Sequence, residues 1–214
     1  NYVRSLALDR ENRLWVGTYS GLNIYDEGKD CFSSLESSMT EAGTLSQNSV
    51  RCIFRDTQGG MWLGTYWGGL NYYHPLCNRF LQIKHIPFRN SLSDNVINCI
   101  VEDKKSNLWI GTSDGGLNFY DSATKSYKNY LFNPDASDGV PFKDIKTVYV
   151  DEPTDKVYVG AHAGGMMVLH RKTGKKEFYN QQNSGLPSNH IYSIISDEKG
   201  GLLISSLDYL LHFD

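Results

Sequence analysis

An all-β fold is what the sequence predicts, on two observations: apolar and polar residues alternate at period two in short stretches, and one pattern recurs five times along the 214 residues. Each copy opens with an alternating stretch that ends in Asp, at 1–9, 48–56, 95–103, 143–151 and 189–197, so the copies start 47, 47, 48 and 46 residues apart. No sustained helical periodicity interrupts them.

Within each copy the elements follow in a fixed order. A polar, turn-forming stretch comes after the Asp, then an aromatic or apolar strand closed by two small residues: Leu14 to Thr18, Met61 to Thr65, Leu108 to Thr112, Val157 to Ala161 and Leu202 to Ser206. A Gly-containing turn leads into a third strand at Gly21 to Asp26, Gly69 to His74, Gly116 to Asp121, Gly165 to His170 and Tyr209 to Asp214. A fourth strand is read around Phe32, Phe80 to Ile83, Tyr127 to Tyr130 and Phe178 to Tyr179. Four strands in a unit of this length make one propeller blade.

The prediction is therefore a single β-propeller domain of four-stranded antiparallel blades, four complete and a partial fifth, forming a fragment of a larger propeller. Its blades span approximately 1–47, 48–94, 95–142, 143–188 and 189–214. Trp15, Trp62 and Trp109 occupy one position, taken by Tyr158 and Leu203 in the other copies, and are read as packing between blades. Burial there is worth roughly 2–3 kcal/mol per ring. The fifth copy ends after its third strand, and unpaired strand edges predict pairing with a second copy or with further chain. A homodimer is expected.

Composition narrows the function. A net charge of −3 with 21% charged residues gives no basic excess for nucleic acid and no polybasic face for anionic lipid. No apolar run approaches the roughly 20 residues of a membrane span, so membrane insertion by this segment is not expected. The four cysteines, Cys31, Cys52, Cys77 and Cys99, show no CxxC spacing, and Cys52 and Cys99 share the first-strand position of Ser5, Thr147 and Ser193, where a small residue suits a narrow inner strand. His74, His85, His162, His170, His190 and His212 lack metal-ligand spacing, and neither a phosphate loop nor a dinucleotide fingerprint is present, so neither metal nor cofactor is expected.

The repeated Leu-Ser-x-Asn-x-Val/Ile, Asp, short turn, Leu-Trp-Ile/Val-Gly-Thr and Gly-Leu-Asn-x-Tyr-Asp resembles the two-component regulator propeller repeat over nearly the whole chain. It stands at Leu45 to Val50 with Leu63-Gly64-Thr65, and at Leu92 to Ile97 with Leu108 to Thr112 and Gly116-Leu117-Asn118. The fourth copy departs, with Pro141-Phe142-Lys143-Asp144 at its entry and Gly160-Ala161-His162 in place of Gly-Thr. The resemblance implies the periplasmic sensor domain of a hybrid histidine kinase of the kind found in gut Bacteroides-type bacteria, often governing polysaccharide use.

Candidate contacts come from the turns after the second strands, which share a face of a propeller with the connections between blades. The framework there barely changes while the turn residues vary: Tyr19-Ser20, Tyr66-Trp67, Ser113-Asp114, His162-Ala163 and Leu207-Asp208. Tyr19, Tyr66, Trp67, Asp114 and His162 are accordingly candidate contacts for an oligosaccharide, whose ring face stacks on aromatics while its hydroxyls hydrogen-bond. The competing reading is ordinary exposed loop residues or contacts between blades. Asn48, Asn95 and Asn189 are expected to close Asx-type turns, and Asp9, Asp56, Asp103, Asp151 and Asp197 to hold hairpin turns.

No catalytic residue is expected. Gly111 to Gly115 matches the Gly-x-Ser-x-Gly string of hydrolases, but the equivalent positions in the two preceding copies carry Tyr in place of Ser. The leading function is a ligand sensor signalling to a histidine kinase elsewhere in the parent protein. The alternatives are a protein-interaction scaffold and a propeller carbohydrate hydrolase or lyase.

Overall fold

A computed structural model describes residues 2–38, 43–74, 77–131 and 140–213, with the backbone alone at 77–81. Asn1 and Asp214, read above as the ends of the first and last copies, lie outside the described residues, as do the side chains of Phe80, Leu81 and Cys77.

Among the described residues all elements of regular structure are strands, gathered in five antiparallel sheets. The first holds β1 (Val3–Leu8), β2 (Leu14–Thr18), β3 (Gly21–Asp26) and β4 (Cys31–Leu35), and the second β5 (Val50–Arg55), β6 (Met61–Thr65), β7 (Leu70–His74) and β8 (Cys77–Ile83). The third holds β9 (Ile97–Glu102), β10 (Leu108–Thr112), β11 (Leu117–Asp121) and β12 (Ser126–Tyr130). The fourth holds β13 (Ile145–Asp151), β14 (Lys156–Ala161), β15 (Gly165–His170) and β16 (Lys176–Tyr179). The fifth has three strands, β17 (Ile191–Ser196), β18 (Leu202–Ser206) and β19 (Tyr209–Phe213). Each sheet pairs its strands in sequence order, and the chain divides into two compact units, Asn1–Ile100 and Val101–Asp214.

Successive sheets pack through a knob and a notch. In the second to fifth blades the residue two places after the entry, Val50, Ile97, Ile145 or Ile191, is 0% exposed, whereas Val3 of the first is 58% exposed. Opposite three of them lies the second-strand Gly of the preceding sheet: a Cβ on Gly17 would sit 2.8 Å from Val50, on Gly64 2.7 Å from Ile97, and on Gly160 2.5 Å from Ile191. Glycine is needed because the neighbouring sheet occupies the volume of a methyl group. The same Cβ positions abut Cys52 at Gly64 and Thr147 at Gly160, which explains the small residue at that first-strand site. Burial pushes the Cys52 thiol up to about 12, so it stays protonated and packs as an apolar group.

The repeated Trp does more than fill space. Trp15 joins Leu22, Leu45, Val50, Met61 and Leu63 in a buried cluster and meets Tyr73 of the next sheet at 5.4 Å between ring centroids. Trp62 and Trp109 make their ring contacts to Tyr72 and Phe119 of their own sheets. Packing between sheets through the ring contact is thus seen at Trp15, while β-pairing sets the partners of the other two.

Four of the five hairpin Asp residues accept backbone N–H groups of the turn that follows, while Asp151 accepts from the Thr154 hydroxyl. Asp9 Oδ1 accepts from Glu11 N and Arg13 N, Asp56 Oδ1 from Gly60 N, Asp103 Oδ1 from Lys105 N and Asn107 N, and Asp197 Oδ1 from Lys199 N and Gly201 N. The second oxygen takes the Trp indole in two blades, Trp15 Nε1 and Trp62 Nε1 each donating at 2.9 Å. Burial alone would raise the Asp9 carboxyl, but donation from Trp15 and Arg13 outweighs it and holds the group below its ordinary value.

The entry Asn is structural, but it does not close an Asx turn. Asn48 Oδ1 accepts from Ser37 N at 2.6 Å, Asn95 from His85 N at 2.7 Å and Asn189 from Gln181 N at 2.8 Å, tying the entry of one blade to the exit of the fourth strand before it. Its backbone carbonyl accepts from the Gly that starts the third strand, Gly21 at 2.8 Å, Gly69 at 3.0 Å and Gly165 at 2.8 Å. Those glycines have φ of 114°, 74° and 78°, and a Cβ on any of them would strike the carbonyl of Leu35, Ile83 or Tyr179. The side chain reaches across a connection whose length varies, which local turn chemistry does not reveal.

Two measurements test this frame. Gly160→Ala is expected to destabilise by about 1–3 kcal/mol through overpacking against Ile191, read as a lower urea midpoint, whereas Gly28→Ala in an open turn shifts it by about 0.5 kcal/mol or less. Hydrogen bonding from His212 holds the Asp197 carboxyl down at about 2. Because the folded value lies below the ordinary ~3.9, this contribution is present above about pH 4 and lost as pH falls towards about 2. Urea midpoints measured across that window should fall less steeply in Asp197→Asn than in the unchanged protein.

Candidate functional site

The turns that carry the candidate contacts are held by the Thr ending each second strand. Thr18 Oγ1 donates to Gly21 O at 3.0 Å, Thr65 to Gly69 O at 2.8 Å and Thr112 to Gly116 O at 2.7 Å. The same hydroxyl oxygens accept from Ser20 N, Gly68 N and Gly115 N. A second tie comes from the residue after the Thr: Tyr19 N donates to Tyr2 O and Tyr66 N to Ser49 O. In the fourth blade Ala161 lacks the hydroxyl, and His162 N keeps the tie to Asp144 O at 2.9 Å. Side chains on these turns are presented from a fixed backbone.

The first strands supply partners by bulging. Register slips between Val3 and Ser5, Val50 and Cys52, Ile145 and Thr147, and Ile191 and Ser193. The extra residues are Arg4, Arg51, Lys146 and Tyr192, and a bulge re-aims the side chain it carries. In the first unit the Arg4 guanidinium lies 4.2 Å from the centroid of the Tyr19 ring, and Arg51 lies 5.3 Å from that of Tyr66. Such stacking is worth about 0.5–1 kcal/mol at exposed sites. Tyr66 and Trp67 meet edge to face at 4.9 Å, and Trp67 is 64% exposed.

The second unit carries polar candidates in separate turns. Asp114 pairs with Lys143 Nζ at 3.5 Å. The His162 ring meets that of His190 at 4.5 Å, with its Nδ1 4.0 Å from Asp144 Oδ2, an oxygen that also pairs with Lys146 at 2.8 Å. The Gly111 to Gly115 string forms a turn between two strands, unlike the strand-to-helix elbow its pattern matches. Among the described residues no group of His, Cys, Asp and Glu is placed to hold a metal ion.

Of the five sequence candidates, Tyr66 and Trp67 are brought together, while Tyr19, Asp114 and His162 each occupy their own turn. Sequence reasoning missed Arg4, Arg51, Lys143, Asp144, Lys146 and His190. One signal for the first was available: Arg4, Arg51, Asn98, Lys146 and Tyr192 form a column of large or polar residues inside otherwise apolar first strands. A bulge explains that column at Arg4, Arg51, Lys146 and Tyr192.

Up-and-down four-stranded sheets joined through their first strands define a β-propeller, and solved structures bear this out. The chain is similar to the extracellular domain of a hybrid two-component system from B. thetaiotaomicron, with TM-score 0.88 and 24% identity over 100% of this chain and 28% of that one. A second such domain from the same organism aligns at TM-score 0.54 and 21% identity, over 99% of this chain and 36% of that one. Virginiamycin B lyase from Staphylococcus aureus aligns at TM-score 0.71 and 8% identity, over 99% of this chain and 69% of that one. At these identities the likeness establishes the fold.

Residues 1–20, 44–67 and 91–114 match the family described as the two-component regulator propeller. Curated proteins give no match. The chain spans about a third or less of the length of the two extracellular domains.

The locking hydroxyl is open to test. Thr65→Val removes the donor to Gly69 O and the acceptor of Gly68 N, and the buried groups left unpaired are expected to cost about 1–3 kcal/mol, measured as a lower thermal midpoint.

Proposed function

We propose that this chain is the ligand-reading part of an extracytoplasmic sensor, that its ligand is an oligosaccharide, and that it signals to a histidine kinase elsewhere in the parent protein. The observation that carries the proposal is the exposed Trp67 ring, set edge to face on Tyr66 with the Arg51 guanidinium over the latter, all on a turn locked by Thr65. An exposed ring takes the C–H face of a sugar, and guanidinium N–H groups and the Tyr hydroxyl hydrogen-bond its hydroxyls. Tyr19 with Arg4 repeats the arrangement one blade earlier. Asp114 and His162 are the contacts offered by the second unit. Occupancy changes signalling only through a difference in affinity between two arrangements of the parent protein.

The test is a thermal-shift screen of the protein against a panel of neutral and charged oligosaccharides, repeated with Trp67→Ala and Arg51→Ala. A stabilising sugar is expected to raise the midpoint at saturation, with Trp67→Ala abolishing the shift and Arg51→Ala weakening binding about fivefold, equivalent to ~1 kcal/mol. A panel without a hit, or a hit indifferent to both variants, counts against the reading.

A further inference from the structure

The crevice beside the repeated Trp, at the hairpin end where one blade meets the next, differs between blades. Between the first and second blades it is filled. Tyr73 lies on Trp15 at 5.4 Å, Arg10 reaches across to Thr57 O at 2.8 Å, and about 10 Å³ is left. Between the third and fourth blades the position of Tyr73 is held by Leu169, and a cavity of about 380 Å³ opens. That is within the ~300–1,000 Å³ of small-molecule sites.

Two features make this cavity chemically distinct. Its wall contains Trp109, Phe119 and Tyr130, with Trp109 and Tyr130 nearly parallel at 24°. Asn107 Nδ2 takes the Asp103 oxygen that the indole occupies in the first two blades, so Trp109 Nε1 is buried without a partner among the described residues. Around the wall, Arg171 holds the acids: it pairs with Glu152 at 2.7 Å, Asp155 at 3.0 Å and Asp103 at 3.7 Å. Lys105, Lys128 and Lys172 line the same cavity, and none of them forms an ion pair among the described residues. The corresponding cavity of the next blade pair, about 290 Å³, is lined by Asp151 and Glu198 and by no lysine.

We propose that the crevice between the third and fourth blades is a second ligand site, for a small sugar acid of one or two rings. The ring packs on the Trp109, Phe119 and Tyr130 wall, and its carboxylate or sulfate is held by Lys128 and Lys172 with Lys105. Arg171 is a positioning residue that keeps Asp103 and Asp155 from opposing the anion. The neutral ring face and the three lysines require both parts of the ligand. This site is separate from the Trp67 platform and stands whether or not that platform binds sugar.

The experiment is calorimetric titration of the protein with glucuronic acid, glucose 6-sulfate, glucose and sodium sulfate at two salt concentrations. One of the two charged sugars is expected to bind, and which one does separates a carboxylate from a sulfate ligand. Its affinity is expected to fall as salt rises and to drop about fivefold in each of Lys128→Met and Lys172→Met, while Trp67→Ala leaves it unchanged. These lysines are exposed, so the variants fold. The site is overturned if neither charged sugar binds at about 10 mM, if glucose or sodium sulfate alone binds as well, or if Trp67→Ala removes the binding and the lysine variants do not.

Discussion

The contact on which the sheets depend is the seating of one aliphatic side chain from a first strand in the notch left by a glycine on the sheet before it, seen at three of the junctions. Val50 against Gly17, Ile97 against Gly64 and Ile191 against Gly160 bring backbones closer than any side chain on the second strand would permit. Close approach excludes water from the apolar clusters on either side, where most of the burial energy lies. It also brings the entry Asn within reach of the third-strand Gly, so the hydrogen bonds that tie connections to sheets are consequences of that packing distance.

The candidate contacts lie where the repeat is free to change. A blade needs the Asp for its hairpin, the Gly for its neighbour and the Thr for its turn, and these recur at matching positions. The residue after the Thr and the bulged residue of the first strand have no duty in pairing, and they hold Tyr19 with Arg4, Tyr66 with Arg51, and His162 beside Asp144 and Lys146. A rigid frame with variable tips is a sound base for recognition because ordering the tips costs little on binding. The cavity beside Trp109 follows the same logic at the opposite end of the strands, where replacing one large ring by Leu169 and adding Asn107 converts a packed seam into an open one.

Charge is distributed by the same division. Framework carboxylates are satisfied by backbone N–H groups and by an indole, a guanidinium or an imidazole, and at Asp9 and Asp197 this donation holds the carboxyl below its ordinary value. Arg171 alone engages three acids from two successive blades, and the hydrogen bond from Arg171 to Glu152 leads the influences that lower the Glu152 carboxyl. Lys105, Lys128 and Lys172, which stand outside this pairing, face the crevice.

By itself the sequence determined the strand order, the blade period and the identity of the turn-forming residues, because each follows from contacts within about ten neighbouring residues. The role of Asp56 was legible for that reason. What the tertiary structure decided is everything that crosses from one strand to a distant one. The bulge that turns Arg51 onto Tyr66, the reach of Asn95 to His85 N, and the opening of a cavity through Leu169 depend on register and on the distance between sheets. Alternation at period two states which residues face the same way, but a one-residue slip and the space left by a missing ring are properties of the packed partners.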